Sequence, residues 1–360
     1  MVGGCLAQKD GVTIQRRAPH VDVVVGTHNV ARLPRLLERS LSGPVCELVD
    51  HLEVMPADLP ARRKSAHTAW VTISVGCNNS CTFCIVPAVK GREVSRRPAE
   101  IVAEVERLCA DGVVEVTLLG QNVNSYGRDL GLDGRRPLFA DLLRTVGAVD
   151  GLKRLRYTSP HPKDFTADVA TAMAEVDAVC PHLHLPMQSG SDRVLAAMHR
   201  GYNAERYLAK VETARKAVPD LALTTDIIVG FPGETDDDFQ ATLDVVAEAR
   251  FDGAFTFQYS PRPGTPAAGM APVAPDVLAH RYQRLTTLIE DLAGRASASR
   301  VGLIEDVLVE GPSKRNADLV SGRTPHNRLV HFRGQAGAGD FVPVRIDGST
   351  PHYLTGEKVA

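Results

Sequence analysis

Aromatic residues make up only 5% of this 360-residue chain. So few rings exclude an extended base-stacking surface, and any such platform must be small. Long apolar runs are missing as well. None reaches the roughly 20 residues of a membrane-spanning helix. Residues 1–20 lack the apolar stretch of a secretory signal. The cytoplasm is therefore the expected location, with no membrane association. Net charge is nearly absent: 41 Lys and Arg stand against 43 Asp and Glu, leaving −2. Bulk charge announces no nucleic-acid partner, although a local basic stripe would suffice for one. Internal repeats and low-complexity tracts are lacking too. So is the even, spaced cysteine set of a secreted disulfide framework. The seven cysteines are Cys5, Cys46, Cys77, Cys81, Cys84, Cys109 and Cys180. Their number is odd and three crowd together, which points to a reduced compartment and a metal site.

What is present is an ordinary globular composition, 44% hydrophobic and 23% charged, in a chain long enough for two or three domains. "VDVVVG" (21–26) reads as a buried strand and 29–40 as the helix after it. Val2 to Cys5 read as a strand end and the loop beyond. Residues 51–68 are polar, contain proline and read as a linker. From residue 69 onward strands and helices alternate. Strands are expected at 69–76, 114–120, 152–159, 182–187, 221–230 and 253–260. Helices are expected at 98–112, 137–149, 164–176, 191–198, 203–217 and 235–250. Six such units predict parallel strands in an open, partial (β/α) barrel. A long helix follows at 275–299. Five short β segments then predict a small all-β barrel.

The strongest chemical signal is "SVGCNNSCTFCIVP". Cys77, Cys81 and Cys84 stand in C-x3-C-x2-C spacing directly after the first barrel strand. Three soft thiolates on one loop can wrap a single iron–sulfur cube and leave one iron open. In a parallel barrel such a loop sits at the C-terminal end of the strands, where active sites lie. The alternative is zinc, which normally takes a fourth ligand. His67 is the nearest candidate, at irregular spacing.

This loop resembles that of the radical SAM enzymes. The stretches "CIVPAVKGREVSRRP", "LLGQNVNSYG", "SPHP", "LHLPMQSGSDRVLAAMHRGY", "TDIIVGFPGET" and "YSPRPGTPAA" resemble the methylthiotransferases, above all those acting on tRNA. "GRTPHNRLVHF" resembles the TRAM RNA-binding domain. The resemblance implies a 4Fe-4S cluster on Cys77, Cys81 and Cys84 whose open iron chelates S-adenosyl-L-methionine. Phe83 matches the aromatic position near the adenine. The implied reaction adds a methylthio group to C2 of an N6-dimethylallyl adenosine next to the anticodon of tRNA. Related targets, a threonylcarbamoyl adenosine or a ribosomal protein, stay open at this point, as does a non-catalytic RNA-binding remnant. The implied partners are a tRNA anticodon stem-loop, an electron donor such as flavodoxin or ferredoxin, and a sulfur donor. Nothing demands more than a monomer.

The resemblance also implies a second, auxiliary 4Fe-4S cluster. "VGGCLAQ" matches the third of its cysteines at Cys5, with two more expected upstream, so the chain reads as N-terminally truncated and that cluster as incomplete. Cys46 reads as a structural thiol, and Cys109 and Cys180 as inert. The expected organisation is a truncated α/β domain (1–58), a linker (59–68), a radical SAM partial barrel (69–300) and a TRAM, OB-like barrel (301–360). Gln121, Asn122, Ser159, Gln188, Ser189 and Asp226 fall at strand ends and are candidates for cofactor or substrate contact. Gly230, in "GFPGET", is a candidate for lining the S-adenosylmethionine site. That motif lacks the lysine of a Walker loop. His161, His182 and His184 read as packed or hydrogen-bonded rather than as metal ligands. Basic candidates for phosphate contact are Arg62, Arg63, Lys64, Lys90, Arg92, Arg96, Arg97, Lys314, Arg315, Arg323, Arg328, Arg333 and Arg345.

Overall fold

The computed structural model describes residues 1–49, 63–131, 137–314, 316 and 318–359. Arg62, Arg315 and residues 59–62 of the expected linker lie outside the described residues.

The N-terminal unit is a parallel sheet of β1 (Val2–Gly3), β2 (Val23–Val25) and β3 (Val45–Glu47), paired in that order. All three valines of β2 are buried, as a strand covered on both faces requires. Val24 packs with Ala7 and Ile14 of α1 (Cys5–Arg17). Val23 and Val25 pack with Leu36 of α2 (Leu33–Ser40). The sequence reading places a loop at Cys5, whereas the structure begins a helix there. Polar side chains dominate α1 and Gly11 breaks it at φ 43°, so it carries little apolar periodicity. Cys46 is half-buried against the α1 face.

The central unit opens with β4 (Thr68–Thr72). A short antiparallel pair, β5 (Ser74–Val75) and β6 (Val94–Ser95), follows it. The single strand expected at 69–76 is thus two. Between β5 and β6 runs the cysteine loop and α3 (Val86–Lys90). After α4 (Pro98–Ala110) come β7 (Glu115–Leu119), α5 (Phe139–Gly147), β8 (Arg154–Tyr157), α6 (Ala167–Glu175) and β9 (His182–His184). Then follow α7 (Asp192–Ala197), α8 (Ala204–Ala217), β10 (Ala222–Val229), α9 (Asp236–Ala249) and β11 (Gly253–Gln258). β4, β7 and β8 are parallel neighbours, as are β9, β10 and β11. A parallel bridge between Leu155 and Val179 joins the two sets. The result is one six-stranded arc with β4 and β11 as its edges.

Burial follows the pleat. Along β10, Leu223, Thr225, Ile227 and Val229 are buried toward the helices, and Thr224, Asp226 and Ile228 take the opposite, inner face. Ile101, Phe139, Leu143, Tyr207, Phe239 and Val246 supply the helix side of this core. The inner face mixes polar and exposed aromatic side chains, and the buried apolar layer sits outside it.

α10 (Pro275–Ala298) leads to the last unit. β12 (Ile304–Pro312), β13 (Val320–Arg323), β14 (Leu329–Arg333), β15 (Phe341–Ser349) and β16 (Leu354–Lys358) close into a barrel in the order β12-β13-β14-β16-β15. Its core is separate, built on Val307, Val309, Val330, Phe332, Val344 and Leu354. Two arginines of β8 hold this barrel to the arc. Arg154 donates to the carbonyls of Arg323 (2.7 Å) and Asp306 (2.6 Å). Arg156 donates to those of Pro325 and Thr324, both at 2.8 Å, and pairs with Glu115 at 3.0 Å. No helix among the described residues is long and apolar enough to cross a membrane.

Candidate active site

The cysteine loop leaves β5 through Gly76 at φ 86°. A Cβ there would lie 2.0 Å from the Arg92 carbonyl oxygen, so only glycine fits. The Gln121 side chain, just past β7, accepts the Gly76 N–H at 2.5 Å. The Cys77 N–H donates to the Gly91 carbonyl at 3.1 Å, and the Asn78 side chain accepts the Glu93 N–H at 3.2 Å. Thr82 ties the far side of the loop to the end of α7. Its N–H donates to the Met198 carbonyl (3.2 Å) and its hydroxyl to that of Ala197 (2.8 Å). The loop is thereby pinned from both sides.

Cys77, Cys81 and Cys84 are all half-buried. Burial pushes the Cys77 and Cys84 thiols up, and neighbouring thiolate charge adds to the rise. Main-chain groups of Asn79 and Val86 pull the other way. Arg200, only 6% exposed, donates to the Cys81 sulfur at 3.4 Å. Phe83 packs with Val194, Met198, Phe231 and Ala267.

The other candidates are placed as follows. Ser159 (φ 60°) and Asp226 line a cavity of about 1290 Å³ between the inner face of the arc and the C-terminal barrel. The Asp226 carboxylate lies 3.4 Å from His184 Nε2. His184 and His182 in turn bond the Thr224 hydroxyl at 3.1 and 3.2 Å. Asn122 is buried and donates to Asp164 at 2.7 Å. Gln188 (φ 68°) continues the arc beside β10, its N–H donating to the Asp226 carbonyl. The Ser189 hydroxyl is buried against that of Thr242 at 3.3 Å, on the helix side. Gly230 (φ 73°) donates its N–H to Glu234 at 2.6 Å, which closes the "GFPGE" turn. Cys5 is exposed at the start of α1. Arg96 does not offer itself to phosphate. It is buried, donating to the Thr72 carbonyl at 3.0 Å and pairing with Glu104 at 2.5 Å. Arg328 is likewise occupied, by Asp252 and the Ser297 hydroxyl.

Residues 71–246 match the model of the radical SAM superfamily, and residues 298–359 that of the TRAM domain. The tRNA-2-methylthio-N(6)-dimethylallyladenosine synthase of Acidothermus cellulolyticus is 58% identical over 365 residues, covering 99% of this chain and 73% of that protein. The synthase of Streptomyces coelicolor is 55% identical, covering 99% of this chain and 72% of its own length. The chain belongs to the tRNA-2-methylthio-N(6)-dimethylallyladenosine synthase family. Among solved structures, coproporphyrinogen III oxidase from Escherichia coli, a radical SAM enzyme, aligns with a TM-score of 0.47 at 14% identity, over 74% of this chain and 68% of that one.

A synthase of this family implies a 4Fe-4S cluster and S-adenosylmethionine, and the donor set fits the cluster. Three thiols share one pinned loop and a buried cation faces them. Among the described residues no three His, Cys, Asp or Glu donors converge as one metal ion requires. A four-iron cube lets its thiolates stand farther apart than the ligands of a single zinc. The sequence by itself does not single out Arg200, which stands inside "MHRGY" with no spacing relation to the cysteines. It also passed over Trp70, Phe255 and Phe257. These are 67%, 62% and 51% exposed and line the cavity. A period-2 reading would have shown that they share the inner face of the arc.

Proposed function

We propose that this chain transfers a methylthio group to C2 of N6-dimethylallyladenosine beside the anticodon of tRNA. The observation that carries the reading is the pinned Cys77–Cys81–Cys84 loop on an arc whose inner cavity is lined jointly with a TRAM barrel. When bound, the cluster with S-adenosylmethionine supplies the one-electron chemistry that opens an unactivated C–H bond. The protein's own part is to hold, orient and shield. Cys77, Cys81 and Cys84 hold the cluster. Gln121 keeps the loop in register through the Gly76 N–H. Phe83 and Gly230 lie on the side where the adenosyl group of S-adenosylmethionine would rest. Ser159, just past β8, and Asp226, in the middle of β10, face the cavity and are positioned to orient the target base. Asn122, Gln188 and Ser189 shape the mouth through their main-chain and buried side-chain bonds.

A splayed anticodon loop suits a recessed site, since RNA is read at unstacked bases and by backbone shape. Exposed Lys64 and Lys314 on the cavity rim, with Arg92 and Arg97 beside the cluster loop, would meet phosphates. The proposed domains are those of the sequence reading, working in the cytoplasm as a monomer. A flavodoxin or ferredoxin would deliver the electron. Cys5 is proposed as one ligand of a second cluster that passes sulfur to the substrate.

The deciding experiment incubates the anaerobically reconstituted chain with S-adenosylmethionine, a reductant and an isopentenylated anticodon stem-loop. Mass spectrometry of the digested RNA should show the methylthio nucleoside. Cys77→Ala should lose the cluster of the 77–84 loop and give neither product nor 5′-deoxyadenosine. RNA bound without any S-adenosylmethionine cleavage would leave only a binding module. Iron and sulfide assays test Cys5. About four of each per chain, unchanged in Cys5→Ala, would remove Cys5 from the cofactor set. About eight, falling on substitution, would support it.

A further inference from the structure

Arg200 is a buried charge with no carboxylate beside it. Its side chain is 6% exposed, and among the described residues no Asp or Glu pairs with it. Its guanidinium is fixed by three acceptors. Nε donates to the Tyr202 hydroxyl (3.0 Å), Nη2 to the Pro186 carbonyl (3.3 Å) and Nη1 to the Cys81 sulfur (3.4 Å). The Tyr202 hydroxyl is itself held by the Pro186 and Met187 carbonyls, and the Arg200 guanidinium also lies over its ring at 5.4 Å. Burying an unpaired guanidinium is costly, and folds tolerate it where an anion is to be met. The one acceptor here that becomes anionic is the Cys81 thiolate. Arg200 is therefore aimed at the centre that the three cysteines would carry.

We propose that Arg200 is a positioning residue that sets the reduction potential of the cluster through the Cys81 sulfur. This rests on the cluster reading above. The oxidised cube with three thiolates is already net negative, and reduction adds one more negative charge. A fixed cation in a low-dielectric pocket stabilises the reduced form more than the oxidised one, so it raises the potential. A charge-assisted N–H···S bond acts in the same direction by drawing electron density from the thiolate. Reduction of S-adenosylmethionine needs a low potential, so the device trades driving force for ease of loading the electron.

The test is an EPR-monitored redox titration of the reconstituted chain, without turnover. Arg200→Gln should retain the iron of the wild type and show a lower midpoint potential. Tyr202→Phe loosens the same pocket but keeps the charge, and its midpoint should move far less. An unchanged midpoint in iron-loaded Arg200→Gln overturns the proposal while leaving the enzyme reading intact. So does an equal fall in Tyr202→Phe, which would make the effect structural. A loss of S-adenosylmethionine binding with no change in midpoint overturns it as well. Should Arg200→Gln fail to fold, the wild type carries the test. Arginine bearing the heavy nitrogen isotope should give a hyperfine coupling to the reduced cluster. That coupling should vanish in Arg200→Lys, which separates Arg200 from the exposed Arg262 near Cys84. No such coupling in the wild type overturns the proposal. A wild-type chain that takes up no iron overturns the cluster reading and this one with it.

Discussion

Gly76 shows how much rests on single residues at this site. Its φ of 86° and its closeness to the Arg92 carbonyl leave no room for a side chain. Gly76→Ala combines left-handed strain with a main-chain clash and should cost roughly 1–3 kcal/mol. It should also empty the loop of iron, measured as iron per chain after reconstitution. His161 is the second case. It is 6% exposed, accepts the Lys163 N–H on Nδ1 and packs edge-on to Tyr202 at 5.8 Å. Burial, with Arg200 and Lys163 nearby, pushes its pKa down to about 2. A depressed folded pKa means that the unfolded chain binds the proton first. The stability it contributes is present above the unfolded value of about 6.5 and is lost as pH falls from there toward 2. His161→Asn keeps a side-chain acceptor without a titrating group. It should flatten the acid limb of urea-unfolding midpoints, by about 1.4 kcal/mol per pH unit at most. The cysteine trio stands out at this scale because its spacing is local. Arg200 was not, because 119 residues separate it from Cys81.

At the scale of elements, the two edge strands face one cavity. Trp70 stands on β4, and Phe255 and Phe257 on β11, all lining it and more than half exposed. Three exposed rings in an aromatic-poor chain are out of proportion to a solvated surface. Stacking on a base is worth about 1–3 kcal/mol per ring. Trp70→Ala should therefore weaken anticodon stem-loop binding roughly ten- to hundred-fold. Because Trp70 is the sole tryptophan, its fluorescence reports binding directly. No quenching on titration with the stem-loop would remove it from the contact surface. Strand positions came through well in the sequence, since each inner–outer alternation is a run of adjacent residues. The helix at Cys5–Arg17 did not, because its apolar face is too thin to show a period.

At the scale of the whole molecule, the barrel and the TRAM domain work as one unit because β8 is buried on both faces. Arg156→Ala removes the bonds to Thr324 and Pro325 and strips Glu115 of its partner. Charged hydrogen bonds of this kind are worth about 1.5–3 kcal/mol each. The variant should show faster hydrogen exchange in residues 320–333 and weaker stem-loop binding, with iron content unchanged. Wild-type exchange in that segment would mean that the remaining ties, those of Arg154 and Arg328, hold the domain.

The cysteine spacing, the six-unit arc and the terminal barrel follow from local pattern, whereas the helix at Cys5–Arg17 and the split of the first barrel strand do not. Periodicity, glycine placement and ligand spacing act over a few residues and survive in a linear string. Which polar side chains meet is another matter. The fold turned Ser189 outward to Thr242, buried Arg96 on Glu104 and brought Arg200 to Cys81. Burial and pairing are properties of the packed chain, where desolvation makes each charge find a partner across long stretches of sequence.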